Sequence, residues 1–146
     1  TPLKRILDLS ADGICSSGYV LFMKKNLKAF RANGKIGDFS QLHFAAGKRQ
    51  QAYNLMGTRD DQGMVTLCWE NGAGLYPHEE EDRLNVVVLR SNRSFSPELL
   101  EGLEVVREAE KAIFPLTCKK GVKLHLYCFF VSSDGKRFSN SQYVKL

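Results

Sequence analysis

Val122-Lys123-Leu124-His125-Leu126-Tyr127-Cys128-Phe129-Phe130-Val131, followed by Asp134-Gly135 and a returning run over residues 136–144, decides the architecture of this chain. Val122, Leu124, Leu126, Cys128 and Phe130 fall on one face of an extended segment, which is the period-2 signature of a strand. Lys123, His125, Tyr127, Phe129 and Val131 fall on the other, polar at one end and aromatic at the other. Asp-Gly supplies the positive backbone angles that a tight hairpin turn requires. The spacing therefore predicts a C-terminal β-hairpin over about 122–145.

Just before it, Ser96-Pro97-Glu98 carries the marks of a helix start: a serine to accept free amide protons, proline at the first helical position and glutamate in the first turn. Leu99, Leu103, Val106 and Ile113 share one face at helical spacing with Glu110, and Leu100 and Ala109 widen it. Pro115 ends the pattern. One amphipathic helix is predicted over about 97–113.

Working back toward the N-terminus, Met64-Val65-Thr66-Leu67-Cys68-Trp69 and Leu84-Asn85-Val86-Val87-Val88-Leu89 are the clearest strands, separated by a polar loop from Glu70 to Arg83. The composition of 59–63 makes a turn. Residues 41–46 read as a strand with 52–56 returning antiparallel, and 19–36 as a hairpin or meander turning at Asn33-Gly34. Residues 3–9 fit either a helical turn or an edge strand. The fold class that follows is α+β, mainly β: antiparallel, sandwich-like sheets with one helix and a closing hairpin.

A chain of 146 residues with 43% hydrophobic and 25% charged residues fits one globular domain spanning 1–146. No apolar run reaches the length of a membrane span, and the first nine residues lack the pattern of a secretory signal, so an intracellular setting is expected. The four cysteines, at 15, 68, 118 and 128, form no CxxC pair and have no histidine at zinc-ligand spacing. Reduced thiols are expected; the sequon Asn92-Arg93-Ser94 keeps open two disulfides in a secreted domain.

Catalytic signals are weak. The three histidines occur in no HxxxH or HExxH spacing, and His125 and Cys128, three apart on one strand, face opposite ways. Gly72 and Gly74 make a GxG without a helix start behind it, so no dinucleotide site is expected. Glu79 to Asp82 lacks the spacing of a calcium loop and reads as a solvated acidic stretch. A non-enzymatic domain without cofactor or metal is the expectation.

Lysine and arginine outnumber the acids 21 to 16, giving a formal charge of +5. The excess falls in predicted turns and strand ends, where loops gathered at one end of a sandwich can form a phosphate-binding surface. The candidate nucleic-acid contacts are Lys24, Lys25, Lys28, Arg31, Lys48, Arg49, Lys136 and Arg137. Arg90 with Arg93, and Lys119-Lys120, are further basic pieces. The rival is a protein-interaction or regulatory module that uses a strand edge or an aromatic patch of Tyr127 and Phe129.

The last 25 residues resemble the closing hairpin of Rel-homology and related immunoglobulin-like DNA-binding domains, with a strand ending at Val131, an acidic-glycine tip at Asp134-Gly135 and a return to Leu146. That resemblance implies a sandwich, DNA binding, a part in transcription regulation and a nuclear location. No counterpart of the family's arginine-rich recognition loop is present, so it supplies no base-reading residue.

Overall fold

The computed structural model describes residues 4–6, 9, 38–72, 74–75, 78–93 and 96–146. Their seven strands are β1 (Tyr53–Arg59), β2 (Met64–Glu70), β3 (Arg83–Arg90), β4 (Glu98–Leu99), β5 (Lys111–Pro115), β6 (Leu124–Val131) and β7 (Gln142–Lys145). They form two antiparallel sheets, one in the order β1-β2-β5 and the other in the order β4-β3-β6-β7. Short 3-10 turns at Phe39–Gln41, Glu79–Glu81 and Arg107–Ala109 are the helical pieces that interrupt this β framework.

Alternation along each strand builds the core between the sheets. Val65, Leu67 and Trp69 of β2, with Ala112 and Phe114 of β5, meet Leu84, Val86 and Val88 of β3 and Leu126, Cys128 and Phe130 of β6. Trp69 packs edge-on to Phe130, their ring centres 5.7 Å apart. The opposite face of the larger sheet is also covered. Val87, Leu89, Tyr127 and Phe129 pack against Leu42, Phe44, Ala45 and Phe138. Hence β6 is buried along nearly its whole length, although one of its faces looked half polar in sequence.

The closing hairpin forms as β6 and β7, paired from His125↔Lys145 to Cys128↔Gln142. Its tip is held by Ser132, whose amide donates to the Arg137 carbonyl (2.9 Å) and whose hydroxyl accepts from the Arg137 amide (3.0 Å). The β2 and β3 expectations hold within a residue at each end, and Asp60 forms the β1–β2 turn by accepting from the Gln62 and Met64 amides, each at 2.9 Å.

The helix expected over 97–113 does not form. Glu98 and Leu99 pair with Val88 and Val87, and the chain continues alongside β3: Leu100 donates to Val86 (2.9 Å), Leu84 to Val105 (2.8 Å) and Arg107 to Asp82 (2.7 Å). Without this segment β3 would be an open edge with unpaired backbone groups, and sheet pairing overrides the local cap signal. Gly102, at φ +75°, and Glu110, at φ +56°, are backbone reversals that a helix could not contain. Residues 111–115 then read in period 2, with Ala112 and Phe114 buried and Ile113 exposed.

Residues 41–46 are likewise no strand partner for 52–56. Phe39–Gln41 makes a 3-10 turn capped by Asp38, and the extended chain after it lays its apolar side chains on the outer face of the larger sheet. β1 pairs with β2 instead, with a bulge between Tyr53 and Met56. Residues 4–6 and 9 are helical, which resolves the first element, while the hairpin expected over 19–36 lies outside the described residues.

Candidate basic interface

Four of the predicted contacts, Lys24, Lys25, Lys28 and Arg31, lie outside the described residues. The other four are brought to one end of the larger sheet. An isolated parallel bridge sets Arg49 beside Ser139, and the Arg49 amide donates to the Phe138 carbonyl at 3.1 Å. Gly47 permits this approach, because a Cβ there would run into the Phe138 carbonyl oxygen. Its own amide donates to Asn140 Oδ1 at 3.1 Å. As a result Lys48, from an early loop, sits against the chain that carries Lys136 and Arg137, ninety residues later in sequence, and all three are exposed.

Two arginines that the sequence reading had not counted join this end. Arg83 starts β3 opposite Val131, which in turn bridges to Phe138, and it is exposed. Arg5 lines a depression of about 530 Å³ together with Asn85, Val131, Gly135 and Phe138. The acid nearest the tip is Asp134, whose carboxyl lies below the usual carboxylate range, first because Ser132 donates to it (2.5 Å) and then because the Lys136 amide does (3.0 Å). Its role there is to shape the turn that presents the two cations.

Arg49 behaves differently from its neighbour. Its guanidinium grips Asp82 in a fork, Nε to Oδ2 at 3.0 Å and Nη2 to Oδ1 at 2.5 Å, and this bond raises its pKa further. The Asp82 side chain is 0% exposed, so the pair joins the 49–50 segment to the start of β3. Arg49 is an internal counterion, and its guanidinium is not presented to solvent as the exposed cations are.

The acidic run expected to be solvated is divided in two. Glu79 and Asp82 are buried, whereas His78, Glu80 and Glu81 remain nearer the surface with ligand atoms within 4.8 Å of one another. Buried beside Glu79 and Asp82 is Arg107, 0% exposed. Its guanidinium carbon lies 4.0 Å over the Phe130 ring and its Nη2 donates to the Gln50 carbonyl. Its own carbonyl accepts from Trp69 Nε1 (3.0 Å) and Asn71 Nδ2 (2.9 Å). Desolvation lowers its pKa, and Asp82 and Glu79 oppose that shift. Sequence reasoning missed Arg107 because it sits inside the segment read as a helix, where nothing local signals its burial over the Phe130 ring.

The groups considered for chemistry or aromatic capture are interior. Tyr127 is 0% and Phe129 1% exposed, which removes the aromatic patch as a docking surface. Phe44 packs edge-on to Tyr127 and the Phe39 carbonyl accepts from its hydroxyl at 2.8 Å, so residues 39–44 seal the face that the sequence left open. His125, on the face of β6 that reads as polar at this end, is buried: it stacks on Phe39 at 4.0 Å and meets the Tyr143 hydroxyl through Nδ1 at 2.6 Å. Cys128 lies on the other face of β6, where burial pushes its thiol up to about 12, so it is not a reactive thiolate. Cys68, Cys118 and Cys128 are free thiols. No helix among the described residues is long and apolar enough to cross a membrane.

Comparison with family models and with curated proteins finds no match, so what this interface does is inferred from its geometry and charge.

Proposed function

We propose that this domain binds nucleic acid without catalysing a reaction, and that it contacts phosphates through the basic end formed by Lys48, Arg83, Lys136 and Arg137. The observation that carries this reading is convergence. Three stretches far apart in sequence place exposed cations at one end of one sheet, beside a hairpin tip fixed by Ser132 and Asp134. A set of cations held on short, bonded turns loses little conformational freedom on meeting a phosphate backbone. Duplex DNA as the ligand, with a nuclear role in transcription, is the form of this reading that the resemblance of the closing hairpin favours.

Binding to labelled duplex and single-stranded probes should weaken steeply as salt rises from about 50 to 200 mM. The Lys48→Glu/Arg137→Glu variant should lower the slope of that salt dependence by about two, roughly one for each lost phosphate contact. Absent or salt-independent binding defeats the proposal.

A second reading, capture of a protein partner by strand addition, draws on the other sheet. Among the described strands β5 is an edge, and it exposes Ile113 (55%) on the same sheet as Met56 (67%). A partner retained after nuclease treatment and lost in Ile113→Lys would favour it.

A further inference from the structure

The opposite end of the β3–β6 pair, about 23 Å away along eight residues of strand, holds a second cationic feature of different shape. It is an open cleft of about 470 Å³. Arg90, the last residue of β3, forms its fixed part: Nη1 donates to Glu98 Oε2 at 2.9 Å and Nη2 to the Thr117 carbonyl at 3.1 Å. Arg93 and Lys119 also line it, and neither side chain has a hydrogen bond or ion pair with the described residues.

Hydrogen bonds across the rim hold its two loops in place. The Ser91 amide donates to the Lys123 carbonyl and the Lys123 amide returns to Ser91 Oγ, both at 2.9 Å. Each loop is also closed on itself. The Arg93 amide donates to the Arg90 carbonyl (2.9 Å), and on the other side the Val122 amide donates to the Lys119 carbonyl (3.1 Å). The Cys118 thiol donates to the Val122 carbonyl at 3.0 Å and tightens the same turn. The free cations of Arg93 and Lys119 therefore project from a pre-formed frame, which lowers the entropy lost on binding an anion.

Charge and shape select the ligand. Three cations against the single carboxylate of Glu98 leave two positive charges uncompensated. A phosphate monoester carries about −1.5 to −2 at neutral pH and three acceptor oxygens, whereas a carboxylate or sulfate ester carries one charge. Arginine's fork and lysine's compact ammonium both suit phosphoryl oxygens. The cleft is far larger than a phosphate group alone, and Val122 and Cys118 provide a less polar wall for the organic part.

We infer that this cleft is a binding site for small phosphate monoesters, in which Arg93 and Lys119 take the phosphoryl oxygens and Arg90 supplies a fixed positive wall. The site is separate from the basic end assigned to nucleic acid, and either can be wrong without the other. The test is a titration of isotopically labelled protein with methyl phosphate, and with methyl sulfate as the singly charged analogue, followed by amide chemical shifts. Methyl phosphate should move residues 90–93 and 118–123 and bind more tightly than methyl sulfate.

In Arg93→Glu/Lys119→Glu the affinity should fall at least about tenfold, while Lys48→Glu/Arg137→Glu should bind methyl phosphate as before. Spectra unchanged away from the cleft establish that the reversal variant is folded, and Arg93→Gln/Lys119→Gln replaces it if they are not. The inference is overturned by any of four results. These are no shifts at all, equal response to methyl sulfate, shifts confined to 47–49 and 135–138, or unchanged affinity in the cleft variant.

Discussion

Around Arg107 the molecule keeps its charges inside, whereas a short distance away, at Lys48, Lys136 and Arg137, it leaves them in water. The two regions meet at consecutive residues, since Lys48 is exposed and Arg49 is forked onto a fully buried Asp82. A buried ion is costly to desolvate and persists only where partners compensate it, so the inner arginines are held by Asp82, by the Gln50 carbonyl and by the Phe130 ring. Among the described residues the outer cations have no such partners, and they keep their hydration. The formal charge of +5 does not locate the binding surface, because Arg49 and Arg107 lie with Asp82 and Glu79 inside the fold while Lys48, Lys136 and Arg137 face water.

That contrast can be broken by substitution, with the inner region giving the largest effects. Arg107→Ala should destabilise the domain by about 3–5 kcal/mol, near the top of that range, since it leaves Glu79 and Asp82 under-compensated and removes the contact with Phe130. Denaturant unfolding followed by Trp69 fluorescence would read it, because the indole donates to the Arg107 carbonyl. A loss below about 1 kcal/mol would mean that the cluster is not a structural unit. Asp82→Ala should follow, toward the bottom of the same range, by leaving the Arg49 guanidinium without its fork.

A smaller effect is expected from His125, whose pKa is lowered chiefly by burial, with Lys145 and Lys123 adding to it and Tyr143 and Phe39 completing its surroundings. Between that lowered value and the ordinary value of about 6.5, the unfolded chain holds a proton that the folded chain does not, so stability falls as pH drops through this window. The melting temperature should be lower at about pH 5 than at about pH 7.5, and His125→Gln should shrink the difference. An unchanged difference would assign the acid sensitivity to other groups.

The smallest stability change belongs to the outer region. Lys48→Glu should alter stability by no more than about 0.5 kcal/mol while weakening nucleic-acid binding, and Arg49→Glu should do the reverse in emphasis, costing stability first. Equal behaviour of the two variants would erase the distinction between the regions.

How much of this was legible in sequence depended on whether a signal was local. The closing hairpin, β2 and β3 were readable because a strand with one buried face prints its period directly on the chain, and Asp134-Gly135 marks its own turn. Ser96-Pro97-Glu98 is a genuine local cap signal, yet it lost to an unfilled sheet edge that exists only once β3 has paired with β6. Of the candidate contacts, Lys48, Lys136 and Arg137 were found as basic turns. That Arg83 and Arg5 end beside the same tip was not legible, because nothing in their neighbourhoods shows it.

By itself, then, the amino-acid sequence determined a mainly β domain with an antiparallel closing hairpin, because alternation and turn chemistry are written between neighbours. Only the tertiary structure decided that both faces of β6 would be covered, which edge the 98–107 segment would fill and which cations would face water. Those outcomes depend on contacts between residues tens of positions apart, such as Arg49 with Asp82 and Phe39 with Tyr127. Burial then sets the role of each charge, because desolvation turns one arginine into an internal counterion and leaves its neighbouring lysine available to an anion.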